Sequence, residues 1–295
     1  MKYAQVVMGP AGAGKSTYCH AVQEHCATMK RTVRVVNLDP AAEDFKYTVA
    51  HDVRDLISVD DVMEELELGP NGGLVYCMEY LCRSNDWVEE ILDPYGDDDY
   101  LIFDCPGQIE LYSHVPVMQQ IVRKLQAEGF QVCGVYLIDA LSCTDAAKLM
   151  AGTLMALSAM INLEIPHVNV MSKVDLVPAT DVEKYLLPDS ELVLSELHES
   201  TSARFRALNN AFGSLIDDYG LVQFLPMSNG DEDSVELVLA HIDNAIQYGE
   251  DMEPREAAER EDVDDPVEMG LASSSVGGTA AGGAGGSFGG ASAAM

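Results

Sequence analysis

Tyr3-Ala4-Gln5-Val6-Val7-Met8-Gly9-Pro10-Ala11-Gly12-Ala13-Gly14-Lys15-Ser16 is the stretch that decides the fold. Its first six residues are apolar apart from Gln5 and read as a strand buried on both faces. The next eight satisfy the spacing GxxxxGK[ST], and a helical pattern follows over 16–29. Strand, glycine-rich loop and helix, in that order, are the context that confirms a phosphate-cradling loop. Glycines let the backbone curl so that successive N–H groups point inward at phosphate oxygens. The helix adds its N-terminal dipole. Lys15 reaches the outer phosphates, and the hydroxyl of Ser16 suits a Mg²⁺ shell.

Working outward, further apolar runs at 32–39, 100–104, 134–139, 167–175 and 221–226 read as strands. They are near-continuous rather than alternating, as in a parallel sheet covered on both sides. Helical patterns at 111–128, 146–162 and 234–248 separate them. Alternation of strand and helix implies right-handed crossovers and an α/β fold, a mostly parallel sheet with helices on both faces. Residues 43–99 break the alternation and read as an insertion, with helices at 53–66 and 74–92 around the turn-rich run Gly69-Pro70-Asn71-Gly72-Gly73. A second helical excursion is expected at 180–215. The domain is expected to span 1–248. An acidic linker follows at 249–271 and a Gly/Ala/Ser-rich tail at 272–295. Both are too poor in apolar surface to offset chain entropy and are expected to be disordered.

The chain carries 49 acidic and 17 basic residues, net charge −32. That balance argues against direct contact with nucleic acid or an anionic membrane, both of which reward a basic surface. Seven cysteines with no CxxC argue for reduced thiols and a cytosolic or nuclear compartment. No secretory leader is read at the N-terminus. The apolar run 149–163 is shorter than the ~20 residues a spanning helix needs, so it reads as a buried globular helix.

Three further motifs carry chemistry. The strand 100–104 ends in Asp104, and Cys105-Pro106-Gly107-Gln108 follows. A carboxylate there can hold a metal shell, Gly107 can sense a terminal phosphate, and Gln108 can orient an attacking water. Asn37-Leu38-Asp39-Pro40 ends another strand and offers Asp39 as a second carboxylate near the metal and the water. Ser172-Lys173-Val174-Asp175 matches the base-reading pattern [NT]KxD with serine in first place. The Asp175 carboxylate can accept from guanine N1–H and N2–H₂, donors that adenine lacks there. The loop Leu225-Pro226-Met227-Ser228 is the candidate cover over the base. A phosphate-transferring kinase would want an arginine-rich lid, and 139–175 has no arginine.

With Gly69-Pro70-Asn71 between the Asp39 and Asp104 strands, the sequence resembles the GPN-loop GTPase family, most of all its eukaryotic GPN-loop GTPase 3 branch, over about residues 1–252. The resemblance implies a P-loop NTPase fold and slow hydrolysis of GTP with Mg²⁺ by a dimer. The dimer would be a homodimer or a heterodimer with GPN-loop GTPase 1. It implies that Asn71 reaches the neighbouring subunit's γ-phosphate. It assigns Gly12, Ala13, Gly14, Lys15, Ser16 and Thr17 to the phosphates, and Ser16, Asp39 and Asp104 to the metal. Asp39, Asp104 and Gln108 would place the water with Glu110 as support, and Ser172, Lys173 and Asp175 would take the base. The implied role is assembly and nuclear import of RNA polymerase II, through contact with its subunits, by a cytoplasmic protein that shuttles to the nucleus. The other expectation is a nucleotide-dependent binding module or scaffold with structural GTP and little hydrolysis. Two features depart from the related pattern: Ser172 replaces Asn or Thr, and Pro10-Ala11 stand where related dimeric P-loop ATPases carry an extra lysine.

Overall fold

β1 (Lys2–Met8) lies at the centre of a seven-stranded sheet. The other strands are β2 (Val33–Asn37), β3 (Val49–Asp52), β4 (Tyr100–Asp104), β5 (Phe130–Asp139), β6 (His167–Ser172) and β7 (Phe224–Pro226). The order is β3-β2-β4-β1-β5-β6-β7, and every pairing is parallel. The computed structural model describes residues 1–250 except 114, 179–181, 183–185, 187–189, 219 and 221. The described residues belong to one unit, Met1–Met252. The acidic run and the glycine-rich tail lie outside the described residues from 251 onward, as does part of the excursion at 180–215.

Topology places the site. β1 pairs with β4 on one side and with β5 on the other, so the chain reverses its direction of travel across the sheet at β1. A crevice opens at the carboxyl ends of such strands, and ligands bind there. The register lines up the polar strand ends along that edge. Val7 and Asn37 both pair with Asp104, Asn37 with Asp52, and Asp139 with Ser172.

Alternating β1 side chains feed two cores. Tyr3 and Val7 face α1 (Lys15–Thr28) and α10 (Glu232–Ala245), which bury Cys19, Val22, Cys26, Val235, Val238 and Ile242 against them. Ala4, Val6 and Met8 face the larger helical layer. That layer holds α2 (Val59–Leu66), α3 (Pro70–Arg83), α4 (Asn85–Leu92), α5 (Glu110–Ser113), α6 (Val117–Ala127), α7 (Ala146–Leu163), α8 (Ser190–Ser200) and α9 (Arg206–Asp218). By length and composition α7 is apolar enough to cross a membrane. In the fold it buries Leu149, Met150, Thr153, Ala156, Leu157, Ala159 and Leu163 within the domain core.

The structure revises several expected elements. The edge strand β3 was not foreseen. The expected helix over 111–128 is two, α5 and α6, because Pro116 stands between them and cannot donate to a continuous ladder. The expected helix 53–66 starts as a short 3₁₀ turn, Val53–Asp55, capped by Asp52, and the α-helix begins only after the Ser58 cap. β6 ends at Ser172, and Val174–Leu176 is a 3₁₀ turn instead of strand. The run from Gly69 is no turn. Gly69 caps α3 and Pro70 takes its first position, where a missing N–H costs nothing.

One polar chain runs through the α1 face. Gln5 in β1 is fully buried. Tyr18 of α1 donates to Gln5 Oε1 at 2.8 Å, and Gln5 Nε2 donates to the Tyr100 hydroxyl at 2.7 Å. The Tyr100 hydroxyl lies 3.4 Å from Asp243 Oδ1 in α10. Asp243 accepts a two-pronged pair from Arg31 at 2.5 and 2.9 Å. The Arg31 guanidinium lies 4.3 Å from the Tyr100 ring centre and 3.7 Å from that of Tyr248. Each residue of the chain has a partner, which favours a buried polar chain, although Arg31 Nε is shut from solvent without a hydrogen-bond partner among the described residues.

Candidate functional site

The phosphate-binding loop is built as its residues demand. Gly9, Gly12 and Gly14 have φ of 136°, 80° and 91°, a region that residues with a Cβ rarely adopt. At Gly9 a Cβ would also stand 2.3 Å from the carbonyl oxygen of Leu137 in β5, so the loop leaves the sheet through a gap only glycine fits. Lys15 is buried, and its ammonium donates to the carbonyls of Gly9 and Pro10 at 3.2 and 3.3 Å. Burial lowers its pKa, against the opposing pull of the Asp104 and Asp39 carboxylates. Ser16 and Thr17 follow on the first turn of α1, with Ser16 exposed.

The loop after β4 packs against this one. Gly107 lies so close that a Cβ would come within 2.9 Å of Ala11 Cα and 3.0 Å of Ala11 N. Tyr112 of α5 holds the same loop from behind, its buried hydroxyl donating to the Pro106 carbonyl. Asn162 of α7 donates to the carbonyls of Tyr112 and Ser113, which ties α5 to the helical layer. Gln108 Nε2 donates to Asn71 Oδ1 at 3.0 Å, so the first turn of α3 meets the loop after β4 within one chain. Glu110 opens α5 and is exposed.

Asp104 and Asp39 form the acidic side. Both carboxyl pKa values are raised, first of all by burial. For Asp104 the hydroxyls of Ser16 and Tyr47 and the charge of Lys15 pull the other way. For Asp39 the opposing causes are the Ala41 N–H, Lys15 and Arg54. Asp104 Oδ2 accepts from the Tyr47 hydroxyl at 2.9 Å. Its other oxygen, Oδ1, is shut from solvent without a hydrogen-bond partner among the described residues. A buried carboxylate oxygen without a hydrogen-bond partner, on a carboxyl that feels Lys15, Ser16 and Asp39, suits a hard cation such as Mg²⁺, which takes oxygen ligands. Ser16, Asp39 and Asp104 therefore fit the expected metal set. Among the described residues no group of three or more His, Cys, Asp and Glu side chains forms a closed protein cage.

On the far side of β1, β6 presents the base-reading run. Ser172 is buried, with Oγ 2.6 Å from the Ala13 carbonyl and 3.0 Å from that of Ile138. Its hydroxyl joins β6 to the phosphate loop. Lys173 takes a left-handed φ of 58° and donates to the Gly12 carbonyl at 2.7 Å and to Asp139 Oδ2 at 3.0 Å. Asp175 lies in the following 3₁₀ turn, exposed, with no hydrogen-bond partner among the described residues. The expected cover loop is joined to this run, because Val174 N donates to the Met227 carbonyl at 3.5 Å.

The fold thus brings Gly12–Thr17, Asp39, Asp104, Gln108, Ser172, Lys173 and Asp175 to one edge, with Asn71 touching Gln108. Sequence reasoning missed four contributors. Asp139 ends an apolar strand just as Asp104 does, and that signal could have found it. Tyr47, Asp52 and Arg54 carry no local signature. Arg54 grips Asp52 through Nε and Nη2 at 2.9 and 2.6 Å and donates Nη1 to the carbonyls of Ala42 and Glu43. Asn37, fully buried, donates to Asp52 Oδ1 and to the Asp39 carbonyl and accepts from Asp39 N. Together they set the turn that carries Asp39.

Known proteins share much of this sequence and its fold. Residues 7–248 match a family described as "Conserved hypothetical ATP binding protein". A Xenopus tropicalis protein named GPN-loop GTPase 3 is 52% identical over 267 residues, covering 88% of this chain and 93% of its own. A Dictyostelium discoideum protein of the same name is 51% identical over 259 residues, covering 86% and 90%. A GTPase from Pyrococcus abyssi, crystallised in apo form, shares the fold with a TM-score of 0.69. It is 22% identical, over 82% of this chain and 97% of its own.

Proposed function

The chain belongs to the GPN-loop GTPase family, and on that premise we propose that it binds GTP at the β1 edge and hydrolyses it slowly. It is a GTP hydrolase, an assignment that rests on relatives named GTPases. The observation that carries the site reading is the convergence of the glycine loop, Asp104 and Gln108, with Asp104 Oδ1 unpartnered beside Lys15. Backbone N–H groups of Gly12, Ala13 and Gly14 cradle the phosphates, and Lys15 turns from the Gly9 and Pro10 carbonyls to the phosphate oxygens. Ser16, Asp39 and Asp104 would hold Mg²⁺, which when bound neutralises charge on the β- and γ-phosphates. Gln108 orients the attacking water. Lys173, steadied by Asp139, lies along the base, and the free carboxylate of Asp175 accepts from guanine. No arginine finger is assigned; such a group is usually worth ~10³–10⁵ in rate, so turnover is slow.

The working unit is a dimer, either two copies of this chain or one copy with GPN-loop GTPase 1. Support comes from exposed apolar side chains in the segments next to Asn71 and Gln108 in the chain, namely Leu66, Leu68, Tyr76, Tyr80 and Ile109. Exposed apolar surface of that kind suits an interaction face. As the family resemblance implies, the dimer assists assembly and nuclear import of RNA polymerase II, engaging its subunits from the cytoplasm and shuttling to the nucleus.

The test is GTP turnover of the purified chain across a wide range of protein concentration. Specific activity that rises and saturates supports a homodimer with hydrolysis. Flat, negligible activity with GTP still bound would replace this reading by a binding module, or by a site that the paralogue completes. Depletion of the chain in its own cells should leave RNA polymerase II subunits in the cytoplasm; unchanged nuclear import would remove the proposed role.

A further inference from the structure

The connection from β2 to β3, residues 38–48, is fastened along its length. Ala41 N donates to Asp39 Oδ1 at 3.0 Å. Arg54 holds the carbonyls of Ala42 and Glu43 and places its guanidinium 4.6 Å from the centre of the Phe45 ring. At the far end Thr48 and Gln23 of α1 exchange two hydrogen bonds, of 2.7 and 3.0 Å. Within this fastened strap Leu38, Pro40 and Tyr47 turn inward, and of these Tyr47 carries a polar group. Tyr47 is 5% exposed, its ring 5.0 Å from that of Phe45, and its hydroxyl reaches Asp104 Oδ2.

A phenol has one proton to donate, and a carboxylate that accepts it at one oxygen is fixed in rotation about its own axis. The consequence is visible at the other oxygen: with Oδ2 taken by Tyr47, Oδ1 is shut from solvent and has no hydrogen-bond partner among the described residues, while the Ser16 hydroxyl and Lys15 are near enough to lower the carboxyl pKa. We propose that Tyr47 is a positioning residue for Asp104, its hydroxyl setting the carboxylate so that Oδ1 faces the cation that accompanies the nucleotide. The inference rests on the reading of Asp104 as part of the cation shell. It goes beyond that reading by assigning the orientation of the carboxylate to a residue outside the P-loop and the strand ends. The strap matters because a tyrosine on a loose loop could not hold a carboxylate within the narrow angles that a Mg²⁺ shell demands.

The experiment titrates Mg²⁺ against binding of a fluorescent GDP analogue, using the full chain and its Tyr47→Phe variant. Phe keeps the ring and removes only the donor. The midpoint for Mg²⁺ should rise by about tenfold, the scale of one charge-assisted hydrogen bond. Affinity in excess chelator should stay within about twofold, and turnover at saturating Mg²⁺ should return to about the wild-type value. A residue that merely supported packing would lower chelator-phase affinity and would not be rescued by excess metal. Equal Mg²⁺ midpoints in the two proteins overturn the proposal while leaving the cation site intact. A wild-type chain whose nucleotide binding ignores Mg²⁺ overturns both. Should Tyr47→Phe not fold, Tyr47→Leu is measured instead, with the same shift expected.

Discussion

Gln108 donates its side-chain amide to Asn71 Oδ1 across 3.0 Å, which joins the loop after β4 to the first turn of α3 inside a single chain. The contact links the candidate water-placing residue to the residue expected to act on a neighbouring subunit. Gln108→Ala should keep GTP affinity and lose about 10²-fold in turnover, the scale of one positioned catalytic group. Asn71→Ala should lose turnover too, and a mixing experiment separates two routes. If Asn71 acts across the dimer, combining Asn71→Ala chains with Gln108→Ala chains restores activity, because one mixed site then holds both residues. If Asn71 acts only by steadying its own Gln108, the mixture stays inactive.

Asp175 is the exposed carboxylate of the base-reading turn. Asp175→Asn replaces an acceptor pair by one acceptor and one donor, so it should weaken GTP and favour xanthosine triphosphate. A competition assay reads the exchange. Unchanged affinities for both would move base recognition away from this turn.

At Gly107 a Cβ would meet Ala11 at its Cα, N and Cβ. In Gly107→Ala the new methyl meets backbone atoms, which cannot rotate aside. The expected cost is about 1–3 kcal/mol of stability, with loss of nucleotide binding. Thermal melting with and without GTP checks it; a variant that melts and binds like the parent would show that the two loops separate easily.

Acid should loosen the fold through His167. Both of its ring nitrogens are shut from solvent without a hydrogen-bond partner among the described residues, and the ring fills the space left by the missing Cβ of Gly134. Burial lowers its pKa to about 4 from an ordinary 6.5. Between those values the unfolded chain takes up a proton and the native one does not, so stability is complete above the upper value. It is lost as pH falls toward the lower one. The loss is roughly 3 kcal/mol. Urea melts from pH 7 to pH 4 should show it, and His167→Gln should flatten that part of the curve.

What was legible in the sequence followed from long apolar runs and glycine spacing. β4 was placed at its exact bounds because five buried residues end abruptly in a carboxylate. β1 and α1 were placed within a residue because the loop between them has a fixed length. β3 escaped because Val49-Ala50-His51-Asp52 is a short edge strand with mixed polarity and one covered neighbour. The helix at Pro70 escaped because Gly, Pro and Asn disfavour helix interiors yet suit helix starts, and composition cannot tell one from the other. Tyr47 and Arg54 were silent for a different reason. Tyr47 acts on Asp104, far along the chain, and Arg54 on Asp52 and on the carbonyls of Ala42 and Glu43, contacts that leave no pattern in the sequence.

The polar chain from Tyr18 to Arg31 bears on how the nucleotide loop is aimed. Lys15 and Tyr18 lie less than one turn apart on α1, so whatever sets the rotation of Tyr18 sets the bearing of the helix mouth. Hydrogen bonds point in one direction, and Tyr18 can meet Gln5 at only one angle of the helix about its axis. A purely greasy contact would let the helix roll by several degrees at little expense. Gln5 acts as a gunsight: the amides at the front of α1 are trained on the phosphate position by a lock on the helix's inner flank, and Arg31 and Asp243 hold that lock from the opposite end of the sheet.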